Sequence, residues 1–254
     1  MLQVTFDPPG DFAEAKSPDG SNAPEHRRWK ERKFIDMRNK KKDLFIVVLP
    51  IVLFLGVIFL GVLRIKRGIS IFEEVDSLFI VFYIIGMLAE SIISKKDYNT
   101  EEKEDFDSGT CKIYALGQGL TFLTALWFPP MWKTPSILLL LFPFILFCFG
   151  FFFRLWAIRT LGKFYSHKVY KIKDHRIIDF GPYRFIRHPA YTGMIIGNAG
   201  ITIYFFNWVT TFCFAVVLIP AIVLRIKVEE KMLFEIEGYS TFALKRKRIF
   251  PGIW

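Results

Sequence analysis

The sequence predicts an all-α integral membrane protein of about six transmembrane helices (five to six), the last two forming a helical hairpin. Three observations predict it. The 254 residues are 52% hydrophobic, with 29 Phe, and their mean hydropathy is +0.33. The apolar residues fall into long runs with few or no charges, of about the length that crosses a bilayer. The Lys and Arg residues behind a formal net charge of +10 gather beside those runs. There, membrane topology and attraction to anionic lipid account for them. A basic chain raises nucleic acid as a partner, but this placement argues for the lipid bilayer and against nucleic acid.

Residues 1–43 carry Pro8-Pro9-Gly10 and Ser17-Pro18-Asp19-Gly20, followed by a basic stretch from His26 to Lys42. They are expected to form a polar, disordered cytosolic tail that becomes a juxtamembrane basic segment. No secretory signal peptide is expected, because the first apolar run is long enough to span. Residues 44–156 should hold four spans. The first is 44–63, twenty residues without a charge despite Pro50; a membrane helix tolerates such a proline. The second is 77–94, the third 113–128, closed by Pro129-Pro130, and the fourth and most apolar 135–156. Residues 157–254 form the remaining region. Its spans, 190–206 and 208–224, are separated only by Asn207, so they must turn back on each other. The spacing Gly193-x-x-x-Gly197 can pack helices within the chain or between chains, with packing of the hairpin within the chain as the expected use.

Charge sets the orientation. The tail 1–43 has ten Lys and Arg, the segment 157–189 eight, and the segment 225–254 seven. Six spans with both termini cytosolic place all three inside. The loop 64–76, with Arg64, Lys66 and Arg67, then falls outside and fits the rule least well.

Cys111, Cys148 and Cys213 have no CxxC spacing and read as packing residues. His167, His175 and His188 match no common metal spacing, so no metal is expected. Gly117-Gln118-Gly119 sits in an apolar run and not after a strand, which sets aside a soluble dinucleotide-type fold.

Two clusters carry chemistry. In the run 181–193, GPYRFIRHPAYTG, Pro189 suits a first helical turn and keeps His188 out of the helix. Arg184, Arg187, the free N–H groups and the helix dipole would make an anion site at the membrane surface. An ordinary basic anchor explains the Arg and Tyr residues but not the density of Pro, Gly and His. The second cluster is 224–233, LRIKVEEKML. If the last span continues through it, Arg225 and Glu229 share a helix face, and the hairpin brings that face near His188.

Taken in order, these features resemble the isoprenylcysteine carboxyl methyltransferase family, close to the membrane phospholipid methyltransferases. The shared residues are Leu-Gly-x-Phe-x-x-His-x-Val at 161–169 and Gly-Pro-Tyr-Arg-x-x-Arg-His-Pro-x-Tyr-x-Gly at 181–193. After the hairpin come Arg225, Glu229-Glu230-x-x-Leu233, Gly238-Tyr239 and the ending 247–254. Phe242 stands where that tail often carries Tyr.

The resemblance implies S-adenosyl-L-methionine as cofactor, in a cytosol-facing pocket contacted by Tyr170, His175, Arg176, Ile177, Ile178, Tyr183, His188, Pro189, Ala190, Tyr191 and Glu229. It implies that Arg225 holds the carboxylate of a lipid-tailed, prenylated cysteine. Membership would mean the endoplasmic reticulum in a eukaryote and the plasma membrane in a prokaryote. The alternatives are methylation of a phospholipid or other lipid amine, and a non-catalytic scaffold or transporter. Transporters place their polar groups at mid-membrane, whereas the clusters here lie at the cytosolic edge.

Overall fold

The structure is a computed structural model that describes residues 48–69, 72–96, 104–105, 109–132, 136–165, 170–171, 177–251 and 254. The expected tail 1–43 and the candidate residues His175 and Arg176 lie outside the described residues. Pro50–Trp254 forms one packing unit; of the other, Met1–Leu49, only Val48 and Leu49 are described.

A helix occupies each of the six expected apolar segments: α1 Val48–Lys66, α2 Glu73–Lys96, α3 Thr110–Trp127, α4 Ile137–Leu161, α5 Pro189–Tyr204 and α6 Trp208–Leu233. A short α7, Tyr239–Leu244, follows. Among the described residues the fold is all-α apart from two two-residue strands, Glu104–Asp105 and Tyr170–Lys171, paired antiparallel.

Helices α1, α4 and α6 are long and apolar enough to cross a membrane. Only 17%, 28% and 39% of their most apolar windows are buried by protein, so the rest suits a lipid solvent and not water. Helix α2 begins with Glu73, Glu74 and Asp76, which lowers its mean hydropathy. The 16 residues of α5 rise about 24 Å, short of the ~30 Å hydrocarbon core.

The two ends of the bundle are held by different chemistry. At one end α1 stops, α2 starts, and α3 and α5 stop. Arg64 there is fully buried, 2.6 Å from Asp76 Oδ2. Its guanidinium also donates to the carbonyls of Ala125, Leu126 and Phe128, the last turn of α3 and its cap. Those carbonyls have no partner within their own helix and carry its negative dipole end. Tyr204 Oη donates to the other Asp76 oxygen at 2.7 Å. Arg64 therefore weakens the outside charge of the loop 64–76 as a topology signal, because its charge is spent inside the protein. Removing one partner of such a pair costs about 3–5 kcal/mol.

Helices α4 and α5 pack backbone to backbone. A Cβ at Gly150 would overlap Gly197 N and Gly193 O, and one at Gly193 would lie 2.6 Å from Gly150 O and 2.7 Å from Arg154 N. The Gly193-x-x-x-Gly197 stripe thus serves packing within the chain, but against α4 and not between the two helices of the hairpin as expected. Asn207 caps α6, accepting from Thr210 N at 2.9 Å, and makes the tight hairpin. Residues Cys213–Leu218 form a π-helical stretch in α6, just before Pro220. Proline has no N–H for the α ladder, and the wider turn re-aims the face that follows, which carries Arg225 and Glu229.

Candidate active site

The start of α5 and the end of α6 lie together at the opposite end of the bundle from Arg64. Helix α5 begins at Pro189 with His188 as the residue before it, φ −124° and ψ 58°. The approach to it is a 3-10 turn, Gly181–Arg184. Gly181 has φ +59°, and a Cβ there would meet Thr160. The chain after α7 runs alongside. Arg187 N donates to Lys247 O and His188 N to Arg248 O, both at 2.9 Å, and Ile186 pairs with Lys247 as a parallel bridge.

On α6, Arg225 and Glu229 meet at one phenol. Tyr191 Oη donates to Glu229 Oε2 at 2.9 Å and accepts from Arg225 Nε at 3.0 Å. Arg225 is 3% exposed, and its Nη1 donates to Thr110 Oγ1 at the start of α3. The shared helix face therefore exists, with Tyr191 between its two charges.

Glu230 is the group that the sequence reading passed over. It is 4% exposed. Oε1 takes Arg187 Nη1 at 2.6 Å and lies 3.3 Å from His188 Nε2; Oε2 takes Arg248 Nε at 2.7 Å. Adjacent helical residues point about 100° apart, so successive acids must serve different neighbours, and that spacing was the available signal. It also corrects the expected anion site: Arg184 is exposed, and Arg187 already holds a carboxylate with one nitrogen.

Arg154, near the end of the most apolar helix, is a second omission. It is 7% exposed and donates to Ala190 O at 3.2 Å, Tyr114 Oη at 3.3 Å and Tyr165 Oη at 3.5 Å. An arginine in such a helix is a functional candidate by default.

Of the other candidates, Tyr183 and Ala190 are buried together with Ala157 and Ile158, and Ile178 packs on them. Pro189 is buried. Ile177 lies beside Gly238. The Tyr170 backbone pairs with Asp105. Burial, then the Glu229 charge, pushes the Tyr183 phenol well above its ordinary value. Burial, then Glu230 and Glu229, does the same to Tyr239. Both therefore stay neutral at physiological pH.

Among the described residues the site brings together four guanidinium groups, Arg154, Arg187, Arg225 and Arg248, with the carboxylates of Glu229 and Glu230. The Arg187 guanidinium lies against the Tyr239 phenol as a hydrogen-bond neighbour, and neither Arg187 Nε nor Tyr239 Oη bonds to any third group. The guanidinium can only donate to the phenol oxygen, so the Tyr239 hydroxyl hydrogen remains as a buried donor suited to a carboxylate oxygen. Within the bundle, Gln118, Phe147, Phe151, Arg154, Met194 and Asn198 line a cavity. Among the described residues no group of His, Cys, Asp and Glu could hold a metal ion.

Comparison with known proteins gives this site its context. Residues 142–235 match the isoprenylcysteine carboxyl methyltransferase (ICMT) family. The chain is 34% identical over 108 residues to the protein-S-isoprenylcysteine O-methyltransferase of Schizosaccharomyces pombe, covering 42% of this chain and 45% of that protein. It is 32% identical over 91 residues to protein-S-isoprenylcysteine O-methyltransferase B of Arabidopsis thaliana, covering 35% and 46%. It thus spans about half the length of these curated relatives. Among solved structures, the eukaryotic intramembrane Ras methyltransferase ICMT matches with a TM-score of 0.50 and 24% identity, covering 73% of this chain and 67% of that one; this likeness concerns the fold.

Proposed function

On the premise that this chain is ICMT-like over residues 142–235, we propose that it methylates the carboxylate of a prenylated cysteine or similar lipid-tailed acid. S-adenosyl-L-methionine, when bound, supplies a sulfonium methyl group. The carboxylate oxygen bonds to that methyl carbon as the carbon–sulfur bond breaks, leaving a methyl ester and a neutral thioether. The observation that carries the reading is the meeting of Arg225 and Glu229 at Tyr191, with the buried pair of Arg187 and Tyr239 close to the same glutamates.

A carboxylate is already ionised at neutral pH and needs no general base. The protein's task is to orient two reactants and exclude water. Arg225 has the planar fork that aligns a carboxylate, and its partners on Tyr191 and Thr110 fix the plane of that fork. Glu229 uses one oxygen on Tyr191, and the other suits the cofactor's amino group or hydroxyls. Tyr239 Oη, held by Arg187, suits the cofactor's carboxylate. A lipid tail would enter between the helices from the bilayer. We place the chain as a six-span protein with both termini cytosolic, its site facing the cytosol, in the endoplasmic reticulum of a eukaryote or the plasma membrane of a prokaryote.

Methylation of a lipid amine is the competing chemistry. An ammonium acceptor must lose a proton first and gains nothing from a site rich in guanidinium groups. The two readings separate in a direct assay. Tritiated S-adenosylmethionine with the detergent-solubilised protein should label N-acetyl farnesylcysteine, and mild base should release the label as methanol. Base-stable label found only on phosphatidylethanolamine would overturn the ester reading.

A further inference from the structure

Two adjacent glutamates on α6 have different surroundings, and the difference assigns them different work. Glu229 makes one hydrogen bond, to Tyr191. Glu230 has both oxygens taken: Arg187 and His188 on one, Arg248 on the other. Its partners come from two stretches far apart in sequence, the approach to α5 and the segment after α7. Those stretches also bond to each other, Arg187 N to Lys247 O and His188 N to Arg248 O.

We infer that Glu230 is the positioning residue of the site: it clamps the approach to α5 and the C-terminal segment onto α6, and so presents the pair of Arg187 and Tyr239 to the cofactor. This rests on the methyltransferase reading above. The physical argument is steric and electrostatic. A guanidinium is a rigid planar fork. When Glu230 binds Arg187 Nη1, the direction of Nε is set, and with it the contact of the Arg187 guanidinium with the Tyr239 phenol. Without the carboxylate, three basic groups face one another across a buried space with nothing to balance them, and the fork is released. Charge-assisted hydrogen bonds of this kind are roughly twice as strong as neutral ones. Thr192 Oγ1 independently donates to Ile249 O at 2.7 Å, so the C-terminal segment keeps a second anchor when the clamp is weakened.

The test uses Glu230→Gln, Arg248→Ala and Arg248→Lys in the full chain in detergent, with two readouts. Arg248 has a 28% exposed side chain, so its substitutions are the gentler ones. The first readout is amide hydrogen exchange. Glu230→Gln should speed exchange at 185–188 and 246–250 together, by about tenfold or more for loss of one charged bond. The second is the dissociation constant of S-adenosylhomocysteine, which should rise about tenfold in Glu230→Gln and about threefold in Arg248→Ala. Arg248→Lys should return both readouts toward wild type. The acceptor KM should stay within about twofold in all three. A structural role alone would lower thermal stability without changing cofactor affinity in the folded protein.

Unchanged exchange in Glu230→Gln would overturn the clamp. Binding lost in Glu230→Gln but unaltered in Arg248→Ala would also overturn it, making Glu230 a direct cofactor contact. Wild-type protein that binds no S-adenosylhomocysteine would sink the methyltransferase reading and the presenting role with it, while the exchange data would still judge the clamp.

Discussion

Arg225→Ala is expected to lower kcat/KM for a prenylcysteine acceptor by about 100- to 1,000-fold, equivalent to roughly 3–4 kcal/mol, while S-adenosylhomocysteine affinity stays within about threefold. The size follows from how Arg225 is held. It is buried, with Nε on Tyr191 Oη and Nη1 on Thr110 Oγ1, so the plane of its guanidinium is fixed. The reaction joins a carboxylate to a sulfonium, and both charges fade as the transition state forms. A cation beside the carboxylate thus favours the ground state electrostatically. What Arg225 contributes to rate must be alignment, and alignment can be separated from charge. Arg225→Lys keeps the charge and loses the fork; it should recover acceptor KM more than kcat. Steady-state kinetics over both substrates, with binding of S-adenosylhomocysteine measured separately, checks this. Full activity in Arg225→Ala would remove the carboxylate-holding role.

Gly150→Ala should be the most damaging single methyl group in the fold. Its Cβ would meet Gly197 N and Gly193 O, backbone atoms that cannot rotate aside, so α4 and α5 must separate. Overpacking costs about 1–3 kcal/mol, occasionally more, and the rigid backbone on both sides puts this site at the upper end. At about 2–4 °C per kcal/mol for a chain of this size, Tm in detergent should fall by roughly 6–12 °C. Activity should fall as well, because Arg154 is one turn further along α4 and reaches Ala190 O and Tyr114. The matched control is Gly197→Ala, whose Cβ would lie 3.7 Å from its nearest neighbour and should change Tm by only about 2 °C. Equal loss in both variants would mean that the close approach is not the cause.

How much of this was legible in the sequence depends on the range of each interaction. The start of α5 at Pro189 and the Asn207 turn rest on local rules for proline, caps and charge-free runs, and local rules read well. The glycine stripe was legible as a close-packing face, although its partner Gly150 lies 43 positions before Gly193 and has no local signature. Glu230 was missed because its partners lie 42 and 43 positions back and 18 ahead. The i, i+4 rule that picked out Arg225 and Glu229 says nothing about the next residue. Arg154 vanished into the most apolar run. Arg64 was counted as a topological charge, because only the fold shows Asp76 and the end of α3 closing around it.

The central claim is that cofactor and acceptor meet between the start of α5 and the end of α6. A structure of the protein with bound S-adenosylhomocysteine tests it most directly. The account predicts that the ligand lies against His188, Tyr191 and Glu229, with its carboxylate toward Tyr239 Oη and its sulfur facing Arg225. Ligand density elsewhere, beside Gly117-Gln118-Gly119 for example, or none at saturating concentration, would contradict it.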